Sequence, residues 1–261
     1  MNFETIIFDK SDDGVATISL NRPERLNAFN QQMLDEMRTA WSIVRQDDEI
    51  RAVVLQAVPG RAFCTGVDVA TEINTFPADP FRDRSPAEAF GAKTNLVWKP
   101  IIAAVHGLCA GGGFYVINQA DIIICSEDAQ FFDPHVSFGL VAACEPVGLS
   151  RRIPYGEILR MSLMGNAERI GADTALRIHL VSEIVENSKL AGRAREIAAL
   201  IATRGSTATQ GSVRVMWESL DLPYTAAIRN SYLYAQVGNP GTAADRAAVR
   251  AATKKEPFVV R

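Results

Sequence analysis

The chain has 261 residues, with 27 Lys and Arg against 30 Asp and Glu, so its formal net charge is −3 at pH 7. This length allows one large domain or two small ones, and 48% hydrophobic against 22% charged residues excludes a disordered chain. The nearly balanced charge leaves no basic field that would attract nucleic acid.

The first fifty residues predict a β-hairpin followed by a helix. Residues 3–8 and 15–20 are rich in β-forming side chains, and the polar residues 12–14 between them end in glycine, which is a hairpin signal. From Asn30, which can cap a helix, apolar residues recur at helical spacing as far as Val44.

The middle of the chain predicts four buried strands separated by loops. Their apolar runs are residues 52–57, 101–105, 121–125 and 129–132. The segment 76–90 contains three prolines and mixed charges, and we expect it to be exposed. Residues 100–120 carry no charged side chain and are long enough to span a bilayer. They also contain His106 and four glycines, so a strand, a tight turn and a short helix are expected there instead.

Beyond residue 146 the pattern becomes helical, with one apolar run at 180–185. The predicted helices are 146–151, 155–163, 171–178, 190–203, 207–219, 223–236 and 241–253. Strands that alternate with helices in the first two-thirds of the chain predict an α/β core. The helical last third could cover that core or form subunit contacts.

Gly111-Gly112-Gly113 directly follows a predicted strand and opens a helix-compatible stretch. Without side chains the backbone can approach a ligand closely, and the N–H groups in the first turn of a helix attract negative charge. A tight turn with no ligand is an equal alternative. The spacing fits neither the dinucleotide-binding glycine motif nor a phosphate-binding P-loop.

A second glycine-containing loop, residues 61–68, also follows a strand and frees the backbone at Gly66 and Val67. Two such loops at the ends of adjacent strands could direct two N–H groups at one carbonyl oxygen. This arrangement would stabilise an oxyanion or an enolate, and one lost donor costs about 3–4 kcal/mol in such sites. The spacing alone does not establish that the two loops meet.

The cysteines and histidines do not indicate a metal site. The four cysteines form no Cys-x-x-Cys pair, which is typical of reduced thiols, and His106, His135 and His179 are scattered along the chain. The first residues lack the basic and apolar regions of a signal peptide. We therefore predict a cytoplasmic protein with no metal ion and no redox cofactor.

Several motifs occur in an order and spacing that covers most of the chain. They are Leu20-Asn21-Arg22-Pro23, Leu26-Asn27-Ala28-Phe29, residues 61–68, residues 99–107, the triple glycine and Ala129-Gln130-Phe131. In this the chain resembles the enoyl-CoA hydratase/isomerase family, which has the crotonase fold. The resemblance implies an α/β spiral of repeated ββα units over residues 1–190, carrying an acyl-CoA site. It also implies a helical C-terminal region over residues 191–261 for oligomerisation, and homotrimers or hexamers.

The resemblance further implies how an acyl-CoA thioester is bound. Backbone N–H groups of Val67 and Gly112 would hold its oxygen, and coenzyme A would belong to the substrate, with no separate cofactor. The residues implied to contact substrate or coenzyme A are Arg25, Ala28, Ala62, Thr65, Gly66, Asp68, Gly111, Lys255 and Phe258. A solvated basic tail explains Lys254-Lys255 equally well.

The catalytic positions depart from the family pattern. Members that hydrate enoyl-CoA carry two glutamates, and the matching positions here are Tyr115 and His135. Tyrosine, with a pKa of about 10, is a poor base, whereas histidine, at about 6.5, can act as acid or base at neutral pH. Glu145 stands before Pro146 at a predicted helix start, where some isomerase and dehalogenase relatives carry an acidic residue. A plain helix-start acid is the alternative for Glu145.

The sequence therefore predicts a lyase that adds water to, or removes it from, an enoyl-CoA through an enolate held in an oxyanion hole. His135, Glu145 and Tyr115 are its candidate catalytic side chains. The alternatives are an enoyl-CoA isomerase, or a family member that binds acyl-CoA without catalysis because the glutamate pair is missing. No nucleic acid or membrane is expected as a partner.

Overall fold

A computed structural model describes residues 3–71, 85–239, 241, 243–252 and 260. By its internal contacts the chain divides into two compact units, Met1–Ser206 and Thr207–Arg261. The division into domains at residue 190 stays a prediction.

Two sheets form the first unit. The described strands are β1 (Ile6–Lys10), β2 (Val15–Leu20), β3 (Ala52–Ala57), β4 (Ala62–Cys64), β5 (Ile101–Val105), β6 (Leu108–Ala110), β7 (Ile122–Ser126), β8 (Gln130–Phe132), β9 (Ile170–Gly171) and β10 (Glu183–Val185). The larger sheet has the order β1-β2-β3-β5-β7-β10, and the smaller has the order β4-β6-β8-β9. Strands β2, β3, β5, β7 and β10 are parallel, while β1 pairs antiparallel with β2 as the predicted hairpin.

Helices connect and cover these strands. The described α-helices are α1 (Gln31–Gln46), α2 (Pro86–Phe90), α3 (Phe114–Ile117), α4 (Cys144–Leu149), α5 (Tyr155–Met164), α6 (Ala172–Arg177), α7 (Leu190–Ala202), α8 (Ser206–Ser219), α9 (Tyr224–Gly238) and α10 (Ala243–Ala252). Asn30 caps α1 as predicted, because its side-chain oxygen accepts a hydrogen bond from the Met33 amide at 3.0 Å.

The chain repeats one unit three times. Strands β3, β5 and β7 of the larger sheet each turn directly into a short strand of the smaller sheet, namely β4, β6 and β8. The next described α-helix in each case is α2, α3 or α4. This is the predicted spiral of ββα units, and it brings the carboxyl ends of the parallel strands β4, β6 and β8 to one edge.

The central strands β3 and β5 of the larger sheet are buried on both faces, as expected for parallel strands. On β3, Val53 and Leu55 join the main core with α1, whereas Ala52 and Val54 face the other way. That second face packs against α7 through residues spaced by four: Leu190, Ala194, Ala198 and Ala202. The alternation explains why β3 has no polar face.

The structure resolves two uncertain segments. Residues 100–120 contain the predicted strand (β5), tight turn and short helix (α3), together with the short strand β6, which was not predicted. No helix of the described residues is long and apolar enough to cross a membrane. The segment 76–90 is described only from residue 85; Glu88 is exposed there, as expected, but for Ala89 and Phe90 the expectation of exposure is wrong. Ala89 and Phe90 are buried in α2, and the Trp41 indole donates to the Phe90 carbonyl at 3.0 Å.

The second unit contains α9, α10 and nearly all of α8. The Glu218 carboxylate on α8 accepts hydrogen bonds from Asn230 and Tyr234 on α9, at 3.2 Å and 2.5 Å. It also pairs with Arg214 one turn earlier, at 2.7 Å. This cluster holds two of the helices together.

Candidate active site

The two glycine loops meet, which the sequence could not establish. They follow β4 and β6, which are neighbouring parallel strands. A methyl group built on Gly66 would lie 2.8 Å from the amide nitrogen of Gly112, and Gly66 has φ +92°. A methyl group on Gly113 would lie 2.5 Å from the Cys64 carbonyl oxygen. Only glycine allows this approach of the two backbones.

The N–H group of Val67 points away from its bridge partner, Phe29. Phe29 pairs with Val67 in a parallel bridge. It does so by donating to the Gly66 carbonyl at 2.8 Å and accepting from the Asp68 amide at 2.9 Å. In this pattern the residue between the two bonded groups directs its own N–H to the opposite side.

The Gly112 amide lies at the start of a helix. Residues Gly111–Gly113 form a 3-10 turn that continues into α3. The first N–H groups of a helix have no acceptor within it, and they carry a partial positive charge. Two backbone donors, Val67 and Gly112, therefore lie in adjoining loops at one edge of the smaller sheet.

Tyr115 lies beside the glycine turn on α3. Its Cε2 atom is 3.2 Å from the position of a methyl group built on Gly112, and its ring centroid is 6.1 Å from that of Phe29. Burial raises the pKa of the Tyr115 phenol, and the neighbouring Glu145 carboxylate raises it further. Tyr115 is therefore protonated at neutral pH and is available as a hydrogen-bond donor, not as a base.

His135 follows β8 in a short 3-10 turn that begins after Pro134. Its Nδ1 atom lies 2.5 Å from Oδ1 of Asp133, which is completely buried, and its backbone N–H donates to the same oxygen at 3.1 Å. The Cε1 atom of the ring is 3.8 Å from the position of a methyl group built on Gly111. The imidazole thus lies next to the glycine turn.

Glu145 lies in the first turn of α4, as predicted, with only 1% of the residue exposed. Its Oε1 atom is 3.8 Å from Nε2 of His135 and has no hydrogen-bond partner among the described residues. The Asn118 side chain donates to the backbone carbonyl of Glu145 at 3.0 Å and fixes the start of the helix. A buried carboxylate facing an imidazole is an arrangement suited to proton transfer.

The structure brings together all three side chains that the sequence singled out as catalytic, and it adds Asp133. Asp133, His135 and Glu145 each place one oxygen or nitrogen within 4.8 Å of the others. Asp133 and His135 are in direct contact at hydrogen-bond distance, and Nε2 of His135 faces Oε1 of Glu145 at 3.8 Å. In the sequence, the only sign of the Asp133–His135 contact is the spacing Asp133-Pro134-His135. That spacing indicates a contact only when the turn at Pro134 is known.

The predicted substrate-binding residues other than Asp68 divide into four groups. Gly66, Gly111 and Thr65 lie in the two loops described above. Ala28 and Ala62 are buried next to them, whereas Arg25 is exposed in a 3-10 turn, Pro23–Arg25. Lys255 and Phe258 lie outside the described residues.

Asp68 has a partner in the structure. Its carboxylate pairs with Arg22 at 2.9 Å and accepts from the Ala70 amide at 3.1 Å. Burial disfavours the charged form, but these contacts outweigh it and lower the pKa of Asp68. The pair connects the loop after β2 to the loop after β4, and a contact of Asp68 with coenzyme A stays a prediction.

The cysteines near the site are not activated thiols. Cys64 and Cys109 are fully buried, and burial raises the pKa of Cys64 to about 12. Cys144 is exposed, but partial desolvation and the adjacent Glu145 raise its pKa as well. A thiolate nucleophile is therefore unsupported at these positions.

Comparison with known proteins identifies the family to which this chain belongs. The profile of the family described as "Enoyl-CoA hydratase/isomerase" matches residues 10–240. The chain belongs to this family, and its activity is of the enoyl-CoA hydratase/isomerase type.

Relatives of known name include both kinds of enzyme. The chain is 34% identical to an (E)-benzylidenesuccinyl-CoA hydratase of Thauera aromatica, over 84% of this chain and 85% of that protein. It is 31% identical to a 1,2-epoxyphenylacetyl-CoA isomerase of Escherichia coli, over 76% of each. The crystal structure of an enoyl-CoA hydratase/isomerase from Mycobacterium paratuberculosis superposes with a TM-score of 0.86 at 36% identity, over 96% of this chain and 97% of that one.

Proposed function

We propose that this enzyme adds water to the double bond of an enoyl-CoA, or removes it, through a thioester enolate. The Val67 and Gly112 amides would form the oxyanion hole that binds the thioester oxygen. The main support is the close approach of the two loops: a methyl group built on Gly66 would lie 2.8 Å from the amide nitrogen of Gly112. Preorganised donors stabilise the charge that develops on the oxygen in the transition state.

Glu145 is the proposed base and His135 the proposed acid. Glu145 takes a proton from water while the oxygen bonds to Cβ, and the electron pair of the double bond moves through Cα to the thioester oxygen. His135 then gives its Nε2 proton to Cα, and the enolate returns to a thioester. The reaction leaves Glu145 protonated and His135 neutral, and one proton crossing the 3.8 Å between Oε1 and Nε2 restores both groups.

Isomerisation is the second candidate, and the burial of Glu145 favours it. A carboxylate with 1% exposure can move a proton from Cγ to Cα of a 3-enoyl-CoA with little competition from water. The oxyanion hole would stabilise the dienolate in the same way. The third candidate is a family member that binds acyl-CoA without catalysis, and the assay described next distinguishes it from the other two.

One assay distinguishes the three. Crotonyl-CoA, cinnamoyl-CoA and a 3-enoyl-CoA are incubated with the enzyme in H₂¹⁸O, and the products are followed by mass spectrometry and NMR. Hydration gives a labelled 3-hydroxyacyl-CoA, isomerisation moves the double bond without label, and a binding protein gives neither. We expect labelled product, with slower turnover of crotonyl-CoA than in a two-glutamate hydratase; turnover at a typical family rate would contradict our assignment of the catalytic pair.

The assembly and the location belong to the same proposal. A homotrimer or hexamer is supported by an exposed apolar face on α5, formed by Tyr155, Leu159 and Leu163, with exposures of 70%, 40% and 70%. Four free cysteines support a reducing compartment such as the cytoplasm. The proposed steps use only side chains and backbone amides, so we propose that no metal or separate cofactor is required.

A further inference from the structure

We infer that Asp133 is a positioning residue: its carboxylate fixes the ring of His135 through Nδ1, so that Nε2–H is presented to Glu145. The inference rests on the proposed function for its catalytic meaning. Its geometric basis is independent of activity. Asp133 is completely buried, and one of its oxygens binds both the Nδ1 atom and the backbone N–H of His135, at 2.5 Å and 3.1 Å.

This contact decides which nitrogen of the ring faces the reaction. With Nδ1–H donated to Asp133, a neutral imidazole would direct its lone pair from Nε2 at the Glu145 carboxylate, 3.8 Å away. That contact is repulsive, whereas a proton on Nε2 makes it attractive. Asp133 and Glu145 on opposite sides of the ring therefore favour the imidazolium, the form that can donate a proton to Cα.

The charged and titratable groups around the ring agree with this assignment. Asp133 faces it from the end of β8, Glu145 from α4, and Tyr115 lies on α3 next to Glu145. The hydrogen bond to Asp133 raises the pKa of His135, burial opposes this rise, and the charge of Glu145 adds to it. Tyr115 contributes no charge, because burial raises its pKa.

The first test measures the proton on the ring directly. The chain has three histidines, so the ring nitrogens of ¹⁵N-labelled protein can be assigned by replacing each histidine in turn. We expect His135 of the native protein to titrate above pH 6.5, with Nδ1 remaining protonated at all pH values. In Asp133→Asn, which keeps an oxygen acceptor but loses the charge, the midpoint should fall by about 1–3 pH units.

The second test asks whether this proton is used. At a pH above the His135 midpoints of both proteins, the protonated fraction of His135 falls tenfold per pH unit. At such a pH, kcat/KM of Asp133→Asn should therefore be below the native value by about tenfold for each pH unit by which the variant's midpoint is lowered. Toward acid pH the native and variant rates should converge. A merely structural defect would lower the rate equally at every pH, and Asp133→Glu, which restores the charge, should restore a raised midpoint.

Two results would overturn the inference: a native His135 that titrates at or below pH 6.5, or a midpoint that does not change in Asp133→Asn. The native titration decides even if both variants fail to fold. A failure of the proposed function would give a different set of results from a failure of this inference. If the midpoint falls in Asp133→Asn but His135→Gln turns over at the native rate, Asp133 still positions the ring, and the assignment of His135 as proton donor is wrong.

Discussion

At the scale of single residues, the protonation states of His135 and Glu145 are coupled. Their facing atoms are 3.8 Å apart, so the protonation of one changes the charge that the other experiences. A hydratase with two glutamates has two groups with similar intrinsic pKa values. Free imidazole and carboxyl groups differ in pKa by about 2 units, so in the proposed mechanism they would divide the roles of acid and base at neutral pH.

Removing either group should therefore abolish most of the activity. We expect His135→Gln and Glu145→Gln each to lower kcat by about 10²- to 10⁴-fold, the contribution of a positioned acid or base. The double variant should lose little more than the worse single variant, because both groups serve one proton path. His179→Gln, at an exposed position, is the control. Losses that multiply in the double variant would show that the two groups act independently.

Sequence reasoning singled out Tyr115, His135 and Glu145 as candidates, but not Asp133. The first three occupy positions in extended motifs, whereas the contact of Asp133 with His135 depends on a turn two residues long. Pro134 has φ −82° and ψ −8°, which bends the chain so that both side chains fold toward the same place. Spacing alone does not determine such a contact.

The elements that sequence patterns predicted well are the long ones. Strands β2, β3 and β5 have the predicted bounds, because a run of five or six residues that is mainly apolar and lies between turn signals is enough to define a strand. Strands β4 and β6 have three residues each and were not predicted as strands. They are too short to show a period, and they exist because neighbouring strands and glycine turns place their backbones side by side.

The loop contact at Gly66 gives a prediction at the scale of elements. Gly66→Ala would place a methyl group 2.8 Å from the Gly112 nitrogen at a residue with φ +92°, so the Gly112 amide must move. We expect kcat/KM to fall by about 10²-fold or more, as when an oxyanion donor is lost, together with a lower free energy of unfolding. Kinetics and thermal unfolding measure the two effects.

Gly139→Ala is the matched control for this change. Gly139 has φ +72°, but a methyl group built there meets nothing within 4 Å. It should cost about 1–2 kcal/mol of stability through backbone strain alone and leave kcat/KM near the native value. Equal losses of activity in both variants would show that strain, not displacement of the Gly112 amide, is responsible.

Glu36 on α1 connects the helix to the first strand. Its buried carboxylate accepts hydrogen bonds from the amides of Glu4 and Thr5 at 2.9 Å each, and from the Thr5 hydroxyl at 2.6 Å. Burial disfavours the charged form, but these bonds outweigh it, so the pKa of Glu36 is lowered. The carboxylate therefore stabilises the fold above the pKa of the unfolded chain, and this stabilisation is lost as pH falls through the lower, folded value.

Glu36→Gln should lower the free energy of unfolding at pH 7 by about 1.5–3 kcal/mol, the usual value for hydrogen bonds to a charged group. The difference from the native protein should shrink as the pH falls below about 4. Chemical denaturation at several pH values measures it. Glu49→Gln removes a carboxylate that is 81% exposed and should have little effect. A difference that grows toward acid pH would contradict the assignment.

At the scale of the whole molecule, the spiral fold was implied by resemblance and is confirmed, whereas the assembly stays a prediction. Helix α5 carries two apolar faces: Ile158 and Met161 are buried, and Tyr155, Leu159 and Leu163 are spaced by four residues on the exposed side. An amphipathic helix at the surface of a monomer needs only one apolar face. The second face therefore favours contact with another copy of the chain.

Light scattering after size exclusion tests this, and we expect a trimer or hexamer at micromolar concentration. Leu163→Glu should shift the protein to smaller species, because an unpaired carboxylate in an apolar interface costs several kcal/mol. Leu176→Glu on α6, where the leucine is 39% exposed, is the matched control and should leave the assembly unchanged. A native protein that is monomeric at these concentrations would contradict the prediction. The exposed face of α5 would then need a different partner, and the activity of the isolated monomer would show whether the site is complete within one chain.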